Sequence, residues 1–344
     1  MARQTLDFSQ ASGGGSPHDF FGRKTIGDPL IAADLLRHYG DPIVKEHIDL
    51  DHLEAAPTHF FGPSGLLTGT REVILDVPFV AHLRDKTWKS EVLIITEHKS
   101  SPSQAVPLQL GVQAMLSLYK RWIDAGRPAV FRKFKPPIPL MVLLYCGADD
   151  LANETMWFQD IFEHIPEPLK SLVPQFRLVV INLRRFHYGH LPGKPETQAV
   201  VETMKRAFDG TLAERLPEML GRLGAMPIDD RIMELIGSIA LYSGCVTDIG
   251  KERIVELVTH TIIGKEGVEM AETIQRGIYQ QGKLEGMVIE KINAIQKLLH
   301  IRFNTVPNEI VDELNSRTDL VALDSLFEVA YQCQSLDEFA EFLK

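Results

Sequence analysis

Asp76, Glu97 and Lys99 are the residues of this chain whose types and spacing could do chemistry. Val92–Ser100 reads Val-Leu-Ile-Ile-Thr-Glu-His-Lys-Ser, an apolar run of strand length that ends in charged residues. Side chains alternate along a strand, so Glu97 and Lys99 share a face and His98 points away. A carboxylate beside an ammonium at the end of a core strand is costly to bury. Upstream, Glu72–Val80 reads Glu-Val-Ile-Leu-Asp-Val-Pro-Phe-Val, a second expected strand with Asp76 in its middle. The pattern Asp…Glu-x-Lys is that of a metal-dependent nuclease site. A cation held by Asp76 and Glu97 would polarise a phosphate oxygen and activate a bound water. Lys99 would orient or deprotonate that water, or neutralise charge in the transition state. Mg²⁺ suits such a site because it takes one or two carboxylates and keeps several waters, with Mn²⁺ as a substitute. The plainer reading is a salt bridge between Lys99 and an acid at a strand end.

Register arithmetic bears on the choice. The polar segment Arg84–Lys89 reads as the turn of an antiparallel hairpin, which makes opposed residues sum to 173. Asp76 and Glu97 satisfy that sum. They would then face each other with Cβ atoms roughly 4.5–5.5 Å apart and Lys99 on the diagonal. Two carboxylates that close repel unless a cation lies between them. A single bulge would spoil the arrangement.

Around this pair the expected elements alternate. A helix is expected from Asp28, with Pro29 at its first position and Gly40 at its end, burying Leu30, Ile31, Leu35 and Tyr39. Thr58–Phe61 reads as a short first strand. Ser101-Pro102-Ser103 opens a helix to about Asp124, closed by Gly126-Arg127-Pro128. Ile138–Tyr145 and Arg177–Leu183 are continuous apolar runs, as expected of strands covered on both faces. Gln109 and Gln113 lie four apart on one face of the second helix. They either border the site or are plain solvated residues. Asp34 and Asp19 are candidate additional acids, with Asp19 equally suited to capping or tethering a loop. Arg132, Lys133 and Lys135, then Arg184 and Arg185, are candidate phosphate contacts, as are the hairpin-turn residues Arg84, Lys86 and Lys89. Each cluster alone also reads as solubilising surface charge.

From about residue 196 the pattern turns helical. Ile228–Tyr242, Lys251–Ile263 and Glu266 to about Phe303 carry apolar residues at helical spacing. The last includes Ile274, Ile278, Ile289, Ile292, Ile295, Leu298 and Leu299, and Gly277, Gly282 and Gly286 could divide it into two helices. Such a stripe is either intrachain core or a surface for homo-oligomers. The turn-rich Gly189–Pro195 marks a boundary. The expected organisation is a flexible tail at 1–17, a core at 18–195 and a helical region at 196–344.

The chain also resembles a known family. His18-Asp19-Phe20-Phe21, Asp28–Leu36, Leu75–Phe79 and Glu97–Pro102 look like the recombination-promoting nuclease family, also described as YhgA-like transposases. That family lies within the PD-(D/E)xK nuclease superfamily. Pro139–Tyr145 and Arg177–Leu183 resemble its later core strands. Leu298–Phe303 through Ser335–Phe339 resembles a small helical module, about 284–344, often appended to such proteins. The resemblance implies an α/β fold: a restriction-endonuclease-like core of mixed sheet flanked by helices, followed by an α-helical C-terminal region. It further implies Mg²⁺-dependent DNA endonuclease activity linked to recombination, with Asp76, Glu97 and Lys99 as the catalytic set. Here Val-Pro-Phe follows the aspartate where relatives tend toward Leu-Leu-Tyr. Lys99 stands where many relatives carry Gln, and the lysine is closer to the parent superfamily pattern.

Composition sets the outer limits. A chain of 344 residues with 44% hydrophobic and 24% charged residues can build a sizeable core plus a second region. A net charge of −10 excludes a passive, basic DNA coat, though an enzyme could still meet DNA through a local patch. Cys146, Cys245 and Cys333 form neither a zinc motif nor an even disulfide framework, as expected of a reduced cytoplasmic protein. No charged-then-apolar leader is read at the start, and Pro139–Cys146 is too short to span a bilayer, so no membrane partner is expected. The expected function is a metal-dependent DNA endonuclease. The alternative is a catalytically inactive nuclease fold that binds DNA or protein. A transposase with its own end-recognition elements has little support, since no such motif is visible.

Overall fold

The computed structural model describes residues 17–57, 59–61, 72–74, 77–101, 105–128, 134–148, 151 and 155–343. Its contacts group into two units, Phe21–Met226 and Pro227–Lys344, the latter together with the residues up to Phe20. The grouping thus divides after Met226, beyond the composition change near 196. Of the expected tail at 1–17, residues 1–16 lie outside the described residues, and Pro17 opens the first helix.

The first unit takes the part of α1 (Pro17–Ile26) from Phe21 onward, then α2 (Pro29–Tyr39), α3 (Pro42–His47), β1 (Ile48–Ala55), β2 (His59–Phe61), β3 (Glu72–Ile74), β4 (Val77–Leu83) and β5 (Glu91–Lys99). There follow α4 (Val106–Asp124), β6 (Ile138–Tyr145), β7 (Thr155–Trp157), β8 (Arg177–Asn182), α5 (Pro195–Asp209) and α6 (Leu212–Gly224). Local chemistry explains several boundaries. Asp28 caps α2 by accepting from the Leu30 N–H at 2.8 Å, with Pro29 at the first position. Asp41 caps α3 in the same way through Ile43. Gly126, at φ +81°, follows the end of α4 in the left-handed conformation that glycine tolerates.

Six strands form one sheet in the order β1-β4-β5-β6-β8-β7. β5 is antiparallel to β4 and parallel to β6, and β6 is parallel to β8. β5 connects to its parallel neighbour β6 through α4, a β-α-β crossover. Every described β4–β5 pair, from Val77↔Thr96 to His82↔Glu91, sums to 173, as the hairpin arithmetic requires. The side of β5 that carries Leu93 and Ile95 joins Leu110 and Ala114 of α4 and Met141, Leu143 and Tyr145 of β6 in one apolar cluster. α4 lies close to this layer, and a Cβ on Gly111 would stand 2.7 Å from the Phe176 ring.

Three expectations are corrected. Glu72–Val80 is not one strand: β3 pairs with β2 in a separate two-stranded sheet, whereas β4 joins the large sheet. The first strand is β1 rather than the segment at 58–61, whose described part is β2. β1 reads Ile-Asp-Leu-Asp-His-Leu-Glu-Ala, polar enough to hide it, and its pairing with β4 is irregular between Asp49 and Glu54. Leu30 is exposed, because the buried side of α2 is Ile31, Leu35, Leu36 and Tyr39.

The second unit is helical: α7 (Asp230–Val246), α8 (Lys251–Thr261), α9 (Lys265–Phe303), α10 (Asn308–Asn315), α11 (Leu320–Gln332) and α12 (Leu336–Leu343). α9 is one helix of 39 residues, so its glycines do not divide it. Ile292, Ile295 and Leu299 pack with Leu314, Leu323, Leu326 and Phe339 in an intrachain core. Ile274 and Ile278 are also buried, and Ile289 is exposed.

Candidate active site

Glu97 stands near the carboxyl end of a central strand, the end at which open α/β sheets bind ligands. Its side chain is only 3% exposed. Oε1 accepts from Lys99 Nζ at 2.8 Å and from Gln109 Nε2 at 2.9 Å. The strand alternation supplies the first contact and the packing of α4 on β5 supplies the second. Oε2 is buried and has no hydrogen-bond partner among the described residues. A buried oxygen left unpaired costs about 1–3 kcal/mol, more when the group is charged.

The surroundings hold Lys99 in place. Cys146 N–H donates to the Lys99 carbonyl at 3.1 Å. Beyond it Gly147 crosses so close that a Cβ there would stand 1.8 Å from the Ser100 carbonyl oxygen. On the other side of β5, His98 Nε2 lies 3.0 Å from Cys146 Sγ, and the ring packs on Gly22 of α1. Gln113, one turn beyond Gln109, is buried, and its Oε1 has no hydrogen-bond partner among the described residues. Gln109 is thus exposed yet bonded to Glu97, whereas Gln113 is an interior residue rather than a solvated one.

The other candidates separate. Asp76 lies outside the described residues; the observed ladder stops one pair short of it, at Val77↔Thr96. Asp34 is buried, but it accepts from the Lys194 N–H at 2.7 Å and lies 3.4 Å from His38 Nε2, which tethers the turn before α5. Asp19 sits in the first turn of α1, where an acid complements the helix dipole, and groups with the helical unit. Arg132 and Lys133 lie outside the described residues. Lys135 precedes the amino end of β6, whereas Glu97 lies five ladder steps away toward the carboxyl end, roughly 16 Å along the strands. The hairpin-turn cations are at that far end too: Lys86 pairs with Asp49 at 2.9 Å and Arg84 Nε donates to the Ile48 carbonyl at 3.1 Å.

Arg184 and Arg185 share the Glu97 end of the sheet. Lys99 aligns with Tyr145 and Tyr145 with Asn182, after which the chain turns through both exposed arginines. Asn182 Oδ1 accepts from the Arg184 N–H at 3.1 Å. Lys205 of α5 reaches back to donate to the carbonyls of Leu183, at 2.9 Å, and Phe186. Burial holds its ammonium below the ordinary lysine value. Sequence reasoning missed Lys205, because nothing local signals a partner so far back along the chain. Gly147 left more of a trace, as a glycine just past a strand end.

Among the described residues, no three His, Cys, Asp or Glu side chains gather as a metal site, and no helix is long and apolar enough to cross a membrane. A family model described as "Putative transposase, YhgA-like" matches residues 16–231. No curated protein and no solved structure matches the chain.

Proposed function

The chain belongs to the YhgA-like transposase family, and from that premise we propose that it is a metal-dependent DNA endonuclease serving recombination or mobile elements. The observation that carries this reading is the buried Glu97, whose Oε1 is fixed by Lys99 and Gln109 while Oε2 has no partner among the described residues. An oxygen-donor cation such as Mg²⁺ or Mn²⁺ fits that chemistry, with Glu97 and Asp76 as its protein ligands. When bound, it would supply Lewis acidity at a phosphate oxygen and a more acidic water.

The chain's own residues have separate tasks. Gln109 holds the Glu97 carboxylate in one orientation. Lys99, 30% exposed, can turn from Oε1 toward an incoming phosphodiester and offset charge as it develops. Arg184 and Arg185 are the phosphate contacts at this end of the sheet. Plasmid nicking with Mg²⁺ or Mn²⁺ tests the proposal. The parent protein should cut, EDTA should stop it, and Glu97→Ala and Asp76→Ala should abolish cutting with the fold intact. Variants that cut like the parent would refute the site assignment.

A second reading is a nuclease scaffold kept for binding DNA or protein. What favours it is the Lys99–Glu97 pair at 2.8 Å, a charge pairing that a purely structural strand end would also show. It predicts a parent protein that binds DNA and never nicks it.

A further inference from the structure

The outward side of α4 is unusual for a surface helix. From Val106 to Tyr119 it carries no charged residue; the first is Lys120. One side packs Leu110 and Ala114 onto the sheet. The opposite side exposes Leu108 (48%), Val112 (44%), Met115 (56%) and Tyr119 (37%). An amphipathic surface helix places polar and charged residues there. The turn Phe158–Ile161, which packs against α4, is bracketed by two further exposed aromatic residues, Trp157 and Phe162. Soluble monomers rarely leave such patches open.

We propose that this side of α4 is a self-association surface, occupied by α4 of a second copy running antiparallel across a two-fold axis. The spacing 108, 112, 115, 119 is the alternating four-and-three step of a helix-pair seam. A two-fold axis through its centre sets Leu108 against Tyr119 and Val112 against Met115 of the second copy, so one surface serves both subunits. Charge fits as well. The carboxyl end of α4, with its negative dipole end and the half-exposed Asp124, comes to the positive amino end of the other helix. Lys120 is already paired with Asp124, and no like charges meet along the seam. The inference is independent of the nuclease reading.

Sedimentation or light scattering on the full chain tests it. The parent should be a dimer at micromolar concentration. Val112→Lys and Met115→Glu should each raise the dimer dissociation constant by about 100-fold or more, since each buries an unpaired charge. Circular dichroism and thermal melts would verify that each variant folds. Mixing the two folded variants should restore association, because Lys at 112 then meets Glu at 115 of the other chain. A parent that stays monomeric overturns the proposal, whether another protein or nothing covers the helix. Dimers unaffected by either substitution overturn it too, as do folded variants that fail to reassociate when mixed.

Discussion

Glu97→Gln separates a functional acid from an ordinary buried salt bridge. The substitution keeps the shape of the side chain and removes its charge. In the parent, Oε1 takes two hydrogen bonds, from Lys99 at 2.8 Å and Gln109 at 2.9 Å. Hydrogen bonds to a charged group contribute about 1.5–3 kcal/mol each; here the low end applies, because Lys99 is partly solvated and Gln109 is exposed. Against this stands the buried Oε2, without a partner among the described residues, at a cost of about 1–3 kcal/mol. About 3 kcal/mol for the two bonds against about 1–3 kcal/mol leaves about 0–2 kcal/mol, so without divalent ions the variant should unfold within about 2 kcal/mol of the parent. If the pair existed for stability alone, with nothing offsetting its bonds, losing its charge would cost about 3 kcal/mol. Cation binding supplies the second half of the test. At ten times the dissociation constant, Mn²⁺ should stabilise the parent by about 1.4 kcal/mol, which corresponds to a Tm rise of roughly 2–6 °C. The variant should gain nothing. Thermal melts of both proteins with EDTA and with Mn²⁺ measure all four quantities. A variant that loses 3 kcal/mol or more in EDTA, or that gains the same Mn²⁺ shift as the parent, would refute the reasoning.

Three further outcomes follow from the geometry. Gly111→Ala should cost about 1–3 kcal/mol in urea unfolding, because its Cβ would meet the Phe176 ring at 2.7 Å in a packed layer. Asp34→Ala should destabilise by about 1–3 kcal/mol, since it removes the buried carboxylate to which the part-buried Lys194 N–H donates, and should leave the Glu97 site able to take up Mn²⁺ in a thermal shift. Asp49, hydrogen-bonded by Lys86 and His52, has its carboxyl lowered from 3.8 to about 2. A lowered carboxylate contributes stability above pH 4 that is lost as pH falls from about 4 to 2. The gap in urea midpoint between the parent and Asp49→Asn should therefore shrink between pH 6 and pH 3, and an unchanged gap would contradict this.

Legibility in the sequence followed locality. β6 and α2 fall at their expected bounds, and β8 within a residue of them, because apolar runs, a capping Asp and a proline at the first helical position act within a few residues. The hairpin register was readable because one turn sets all later pairs. β1 was not, since its alternating acids resemble a solvated loop until β4 pairs with it. The separation of β3 from β4 also escaped, because it depends on β2, a partner that no periodicity announces.

The site divides along the same line. Residue order alone placed Glu97 and Lys99 on one side of a strand, because side-chain alternation is a property of the extended backbone itself. Only the tertiary structure decided that Gln109 reaches Oε1, that Oε2 is buried without a described partner, and that Arg184 rather than Lys135 shares this end of the sheet. Burial and partner choice are set by elements distant in the chain, and they exist once those elements pack.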